Sequence, residues 1–112
     1  MRGENSTYPL MGTRFVLDEE KILREGKYRP ETLYAQIDKI AKECNMQKAD
    51  KNTYYAVKGE YSLGELGKFC YTYLIDCEWF IDNVKEWEWL DEFDGDKSIM
   101  GRIKERYNGK KS

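Results

Sequence analysis

Residues 62–90, SLGELGKFCYTYLIDCEWFIDNVKEWEWL, form the stretch that decides the predicted fold. Ser62 and Glu65 have the spacing of a capping box, which is a signal for the start of a helix. The apolar residues that follow recur in alternating steps of three and four, the spacing of one helix face: Leu63, Leu66, Cys70, Tyr73, Cys77, Phe80, Val84 and Trp87. The stretch therefore predicts a long central helix over residues 63–88, with a break near residues 76–77 as the main alternative.

Two segments before this stretch also have helical signals. Residues 19–25 follow Asp18, a suitable N-cap, and precede Gly26, which suits a left-handed C-cap. Residues 31–44 follow Pro30, a residue favoured at the first position of a helix. Their apolar residues again recur in steps of three and four. We expect this second helix to form the core together with the long one.

The remaining segments predict a small amount of β-structure and a closing helix. Residues 14–17 and 53–57 are short and β-prone, so we expect them to pair as two strands. Residues 46–52 read as a polar linker, whereas residues 97–107 have an apolar stripe after Asp96, a candidate N-cap. The predicted fold class is mainly α, with α+β as the alternative: a compact helical domain around a long central helix, with a minor two-stranded β pair.

The length of 112 residues suits one domain, because a chain of this size holds a single hydrophobic core. Residues 1–12 have no periodicity and are predicted to be a flexible N-terminal arm. Residues 13–109 would form the helical domain, and residues 110–112 a basic tail.

The composition excludes several classes of function. The chain has no histidine, which rules out His-based acid–base catalysis, Ser-His-Asp triads and His-containing zinc sites. The formal net charge is −2, so we expect no general attraction to nucleic acid or to anionic membranes. No apolar run approaches the ~18 residues of a transmembrane helix. Three cysteines at apolar positions predict free thiols and a cytoplasmic location.

Charge is unevenly distributed in the C-terminal half. Residues 76–96 contain nine carboxylates and one base, whereas residues 101–112 contain five bases and one carboxylate. Trp89 falls beside the helical stripe and is predicted to be exposed, and exposed tryptophans anchor interfaces. The candidate partner-binding residues are Trp89, Glu86, Asp91, Glu92, Asp94 and Asp96. The alternative is that both stretches are solvated helix surfaces that partly neutralise each other.

The sequence contains no recognisable catalytic, metal or cofactor site. The acidic turn around Gly95 resembles a calcium loop, but the first and twelfth ligand positions would be Leu90 and Gly101, which have no side-chain oxygen. No glycine-rich phosphate loop or helix-turn-helix pattern is present. We therefore expect a non-catalytic protein without cofactor or metal, and we do not expect specific nucleic-acid binding.

Five short motifs are spread over most of the chain: Phe15-Val16-Leu17-Asp18, Ile37-Asp38-Lys39-Ile40, Tyr54-Tyr55, Leu63-Gly64 and Asn83-Val84-Lys85-Glu86-Trp87. With the order of the predicted elements, they resemble small uncharacterised proteins carried on mobile elements of Gram-positive bacteria. The resemblance implies an accessory role without a known activity.

Three functions remain open from the sequence. The first is an accessory protein that docks on a protein partner, one with a basic surface, through exposed aromatics and the acidic segment. The second is an acidic inhibitor that mimics nucleic acid and occupies a basic groove of an enzyme. The third is a domain that binds a small ligand among its tyrosines. The sequence leaves the oligomeric state and the identity of the partner undetermined.

Overall fold

Five strands and five α-helices make up the fold over the residues that the structure describes. In the computed structural model the backbone is described for residues 8–111 and the side chains for residues 8–105. The strands are β1 (Met11–Leu17), β2 (Met46–Asp50), β3 (Thr53–Ala56), β4 (Val84–Asp91) and β5 (Lys97–Ser98). The helices are α1 (Glu19–Glu25), α2 (Pro30–Glu43), α3 (Ser62–Gly67), α4 (Glu78–Ile81) and α5 (Met100–Lys111). After α3 the helical path continues as a π-helix (Lys68–Tyr73) and a 3-10 helix (Leu74–Asp76).

The strands form one antiparallel sheet in the order β2-β3-β1-β4-β5. The prediction of a mainly α fold is therefore wrong, and the fold is α+β. The expected strand pair is confirmed, because β1 pairs with β3, but it is only the centre of a larger sheet. Residues 46–52 were predicted as a linker, yet β2 begins at Met46. Only Met46 of this edge strand is buried, so β2 has no apolar alternation that could reveal it.

The predicted long central helix is also wrong. The helical path that starts with α3 is interrupted at Cys77, whose backbone is extended, so the alternative break near residues 76–77 is confirmed. The expected capping box is not formed either, because the Ser62 hydroxyl donates to the Gly59 carbonyl oxygen at 2.8 Å. After the short helix α4, the chain enters β4. Trp87 and Trp89 are buried there, and their spacing of two residues places both on the same face of a strand.

β1 lies at the centre of the sheet and fixes the register of β4. Thr13 is opposite Trp89, and Phe15 is opposite Trp87. The Thr13 hydroxyl accepts a hydrogen bond from the Trp87 indole N–H at 3.0 Å. These residues lie on the buried face, where α2 and the helical path from α3 pack. Arg14 lies on the opposite face, with ion pairs of 3.3 and 3.2 Å to the two nearest glutamates of β4.

Aromatic side chains fill the centre of the core. The Phe15 ring stacks on Tyr54 and meets the edge of Phe80, which in turn packs against Trp87 at 5.0 Å between ring centroids. The fully buried side chains of this core include Trp87, Tyr54, Phe15, Phe69, Phe80, Ile22, Leu33, Ile37, Leu66 and Leu74. Such close aromatic contacts stabilise a small core beyond the area that they bury.

Both helices predicted before the long stretch are confirmed. α1 spans residues 19–25 as expected: Asp18 accepts a hydrogen bond from the Lys21 backbone N–H, and Gly26 adopts the left-handed conformation at the C-terminus. α2 has Pro30 in its first turn. The last helix begins three residues later than predicted. Its N-terminal backbone N–H is bonded by the Ser98 hydroxyl rather than by Asp96.

The chain ends differ from the predicted arm and tail. β1 begins at Met11, inside the predicted arm, and Met11 is 7 % exposed. The rest of that prediction, for residues 1–7, lies outside the described residues. α5 extends to Lys111, so most of the predicted basic tail is helical, while Ser112 again lies outside them. The prediction of free thiols is confirmed for Cys44, Cys70 and Cys77.

Candidate functional site

Several exposed apolar side chains belong to segments at one end of the sheet. Of the six large hydrophobic residues that are exposed in the described part of the chain, four belong to loops and the helix start at the end where β1 begins: Val57, Tyr61, Leu63 and Phe93. The Lys58–Glu92 ion pair, at 3.8 Å, links the loop after β3 to the turn after β4. We call these four side chains the apolar end. Isolated exposed apolar residues are common, so it is the shared location of these four at one end of the sheet that makes them candidates for an interaction surface.

A cleft opens beside the apolar end, between the β4–β5 turn and α5. Its volume is ≈ 560 Å³, and its apolar lining is Met11, Leu63, Tyr71, Trp89 and Ile99. The charged side chains around it are Asp91, Asp94, Lys97, Arg102 and Glu105. A cleft of this volume is within the range that holds small molecules or one or two residues of a peptide.

One wall of the cleft is an aromatic stack. Tyr71 and Trp89 are nearly parallel, with 5.4 Å between ring centroids and an interplanar angle of 8°. The Arg102 guanidinium lies over the Tyr71 ring, 5.3 Å from its centroid. This is a favourable cation–π contact. Burial raises the pKa of the Tyr71 hydroxyl above its usual value.

The π-helix places Tyr71 in this wall. π-helical turns are rare and occur often at functional sites, because the wider turn moves one side chain out of the α-helical register. Here the π-helix also buries Phe69 and Cys70 in the core. The pKa of the Cys70 thiol is raised by that burial to about 12, which makes Cys70 an inert packing residue rather than a nucleophile.

The two tryptophans of β4 differ in their hydrogen bonding. The Trp87 indole N–H donates to Thr13, whereas that of Trp89 has no hydrogen-bond partner among the described residues. Trp89 is 8 % exposed and lines the cleft. The prediction that Trp89 is exposed is therefore wrong, because the strand turns it to the same face as Trp87. Its role in binding remains a prediction.

The carboxylates of the predicted acidic segment have different partners in the structure. Glu86 pairs with Arg14 on the far face of the sheet, so the structure does not bring it to the cleft. The Asp91 carboxylate accepts hydrogen bonds from the backbone N–H groups of Phe93 and Asp94, and that of Asp96 accepts one from the Asp91 N–H.

The other two candidate carboxylates lie on either side of the turn. Glu92 accepts a hydrogen bond from the Leu10 backbone N–H, in addition to its ion pair with Lys58. The Asp94 carboxylate has no hydrogen bond or ion pair with any described residue. Trp89, Asp91 and Asp94 thus lie together at the cleft, while Glu92 and Asp96 support the turn beside it.

Sequence reasoning missed the remaining residues of the site. Leu63 was assigned to the apolar face of a long helix, and Tyr71 was not singled out. Lys97 was predicted only as the start of the last helix, and Arg102 only as part of a basic stretch. Phe93 carried a signal, since a bulky apolar residue within an acidic turn has no core role there. The other four are brought to the cleft by the π-helix and by contacts between distant segments, which no local pattern encodes.

Within the described residues, no group of three or more cysteine, aspartate or glutamate side chains is placed to hold a metal ion. None of the helices described in residues 8–111 has the length and apolarity to cross a membrane. The sequence matches no protein-family model, no curated protein and no solved structure. The resemblance to proteins of mobile elements therefore stays a prediction.

Proposed function

We propose that this protein is a non-catalytic accessory domain that docks on a protein partner through the apolar end and the adjoining cleft. The observation that carries the proposal is the position of Val57, Tyr61, Leu63 and Phe93 at one end of the sheet. Tyr61 and Phe93 are 71 % and 69 % exposed. Aromatic side chains of this kind supply a large share of binding energy when a partner buries them.

The surroundings of the apolar end favour a partner with a basic surface. The Asp94 carboxylate has no partner among the described residues and lies on the rim of the cleft. Charges on the rim of an interface mainly speed association and select partners, rather than adding affinity. In this proposal the acidic turn therefore speeds association with the partner and selects it, while the aromatic side chains supply the binding energy.

A second candidate function is the binding of a small ligand, and the cleft of ≈ 560 Å³ with its aromatic wall is the observation that favours it. The mimicry of nucleic acid has less support. It needs carboxylates along one continuous face, but Glu86 and Glu88 form ion pairs with Arg14 on the far side of the sheet.

The proposal includes a cytoplasmic location and an accessory role in a bacterium. The three free cysteines support a reducing compartment. The bacterial setting rests on the resemblance of the five sequence motifs alone.

The test compares two double variants at opposite ends of the sheet. Tyr61→Ser with Phe93→Ser removes the two most exposed aromatic side chains of the apolar end. Leu23→Ser with Tyr28→Ser removes side chains that are 66 % and 41 % exposed and that follow β1 at its other end. We expect the tagged wild type and the Leu23/Tyr28 variant to capture the same protein from extracts of the source cells, while the Tyr61/Phe93 variant loses it. Equal capture by both variants, with unchanged thermal unfolding, would contradict the proposal.

A further inference from the structure

The last helix, α5, buries little of its own apolar surface. The structure describes its side chains over residues 100–105, and none of these is buried. Met100 and Ile103 are half-buried, and their spacing of three residues places them on the same side of the helix. A helix of 12 residues is marginal in water unless packing stabilises it. The exposed parts of Met100 and Ile103 therefore form a surface that further packing would stabilise.

These two side chains line a groove of ≈ 540 Å³ between α4 and α5, which shares only Gly101 with the cleft described above. On the other side of the groove, its apolar side chain is that of Ile81, the last residue of α4, which is also half-buried. A Cβ added at Gly101 would meet no atom within 4 Å. Glycine is a poor helix former, and nothing in the described chain packs against α5 at this point. The open space at Gly101 allows a second chain to approach α5 closely.

The two sides of this groove carry opposite charges. Asp82 follows α4, Lys104 belongs to α5, and both line the groove. Neither side chain forms an ion pair or a hydrogen bond with another described residue, since the hydrogen bond from Lys21 goes to the backbone carbonyl oxygen of Asp82. Residues 76–82 contain three carboxylates and no base, whereas residues 101–112 contain five bases and one carboxylate. A partner that covers both sides must therefore be basic opposite α4 and acidic opposite α5.

A second copy of this chain meets both requirements. A two-fold axis that runs along the groove places α4 of each copy opposite α5 of the other, and two-fold pairs are the commonest assemblies of identical chains. We propose that the protein self-associates through the α4–α5 groove as a two-fold dimer. Ile81, Met100 and Ile103 of both copies form its apolar centre, and Asp82 of each copy faces Lys104 of the other. This dimer goes beyond the proposed docking function and does not depend on it.

The experiment reverses the charge at the two facing positions of the full-length protein. Wild type, Asp82→Lys and Lys104→Glu are compared by sedimentation equilibrium from about 10 μM to about 1 mM, because small interfaces are weak. We expect the mass of the wild type to rise with concentration from 13.3 kDa towards twice that value. Each variant should raise the dissociation constant of the dimer at least about tenfold, because its dimer would contain two contacts between like charges. Lys39→Glu, the same change at an exposed position of α2, is the matched control and should leave the dissociation constant unchanged.

A mixture of the two variants tests whether the charge pair forms between chains. In a mixed dimer one copy offers a base at both positions and the other copy offers an acid at both, so two attractive contacts are formed. We expect an equimolar mixture to dimerise at concentrations where each variant alone is monomeric. Asp82 and Lys104 are both exposed, so the thermal unfolding of each variant, followed by circular dichroism, should match that of the wild type.

A wild type that stays monomeric throughout this concentration range would overturn the inference and leave the groove to a different partner. A dimer that both variants retain at wild-type strength would place the interface elsewhere and would overturn it too. Two weakened variants whose mixture fails to associate would contradict the facing of the two charges across the axis. These results are separable from the docking test, because the Tyr61/Phe93 variant changes residues outside the groove.

Discussion

Substitution of Gly12 by alanine tests whether β1 and β3 are paired as described. A Cβ at Gly12 would lie 2.4 Å from the Tyr54 carbonyl oxygen and 2.5 Å from the Tyr55 ring. The ring can turn away, but the carbonyl oxygen belongs to the neighbouring strand, so the strands must separate to relieve the contact. Overpacking of this kind costs about 1–3 kcal/mol. We expect the upper end of that range, about 3 kcal/mol, with a fall in the midpoint of thermal unfolding on the order of 10 °C.

The assay is urea unfolding of Gly12→Ala, followed by tryptophan fluorescence and far-ultraviolet circular dichroism. Gly64→Ala is the matched control, since a Cβ there meets no atom within 4 Å. In the helical path of α3, that change should leave the free energy of unfolding unchanged or raise it by up to about 1 kcal/mol. If Gly12→Ala is as stable as the wild type, then Tyr54 and Tyr55 of β3 do not pack against Gly12 of β1 as closely as described. A flexible segment at Gly12, as the sequence suggests, would give that result.

Three further predictions concern side chains away from the cleft. Thr13→Val removes the acceptor of the Trp87 indole N–H and should lower the free energy of unfolding in urea by about 1–3 kcal/mol; an unchanged midpoint would contradict the hydrogen bond. Burial, and then the hydrogen bond to a glutamate, raise the pKa of Tyr34 from 10.0 to about 12. Because the folded pKa is the higher one, the stabilisation is complete below pH 10 and is lost between pH 10 and 12. Between pH 10 and 12 the free energy of unfolding of Tyr34→Phe should therefore fall less than that of the wild type. An equal fall in both proteins would refute this. In native protein, iodoacetamide should label the half-buried Cys77 before the buried Cys70, as measured by peptide mass spectrometry; labelling of Cys70 at the same rate would refute its burial.

The sequence predicts the helices whose signals are local. Asp18 and Gly26 delimit α1 through their own hydrogen bonds and dihedral angles, and Pro30 marks the start of α2. Such signals act within a few residues and do not depend on the rest of the fold. These two helices were therefore predicted almost to the residue.

β4 could not be predicted from the same kind of signal. Val84 and Trp87 are three residues apart, which fits a helical face as well as a strand that carries an irregularity. The choice is made by β1, which supplies the pairing partner and the Thr13 hydroxyl for the Trp87 N–H. Tertiary contacts of this kind override local periodicity. The alternation of tryptophan and glutamate over residues 86–89 was the overlooked signal for a strand.

The candidate site follows from the same contacts. The sequence predicted Trp89, Asp91 and Asp94 as binding residues, because aromatic and acidic residues in one segment suggest a binding surface; the fold brings these three to the cleft, and their role stays a prediction. It did not identify Tyr71, which reaches the cleft through the π-helix, or Lys97, which depends on the short pairing of β5 with β4. A cleft formed by three separate segments is visible only when the chain is folded.

Site-specific photo-crosslinking in the source cells tests the docking function most directly. A photoreactive amino acid at position 93 places the probe on the apolar end, and the same amino acid at position 23 places it on a side chain of similar exposure at the other end of the sheet. The two native side chains, Phe93 and Leu23, are 69 % and 66 % exposed. We predict a discrete crosslinked protein from position 93 and none from position 23. Crosslinks from position 23 alone, equal products from both positions, or none from either would contradict the proposed function.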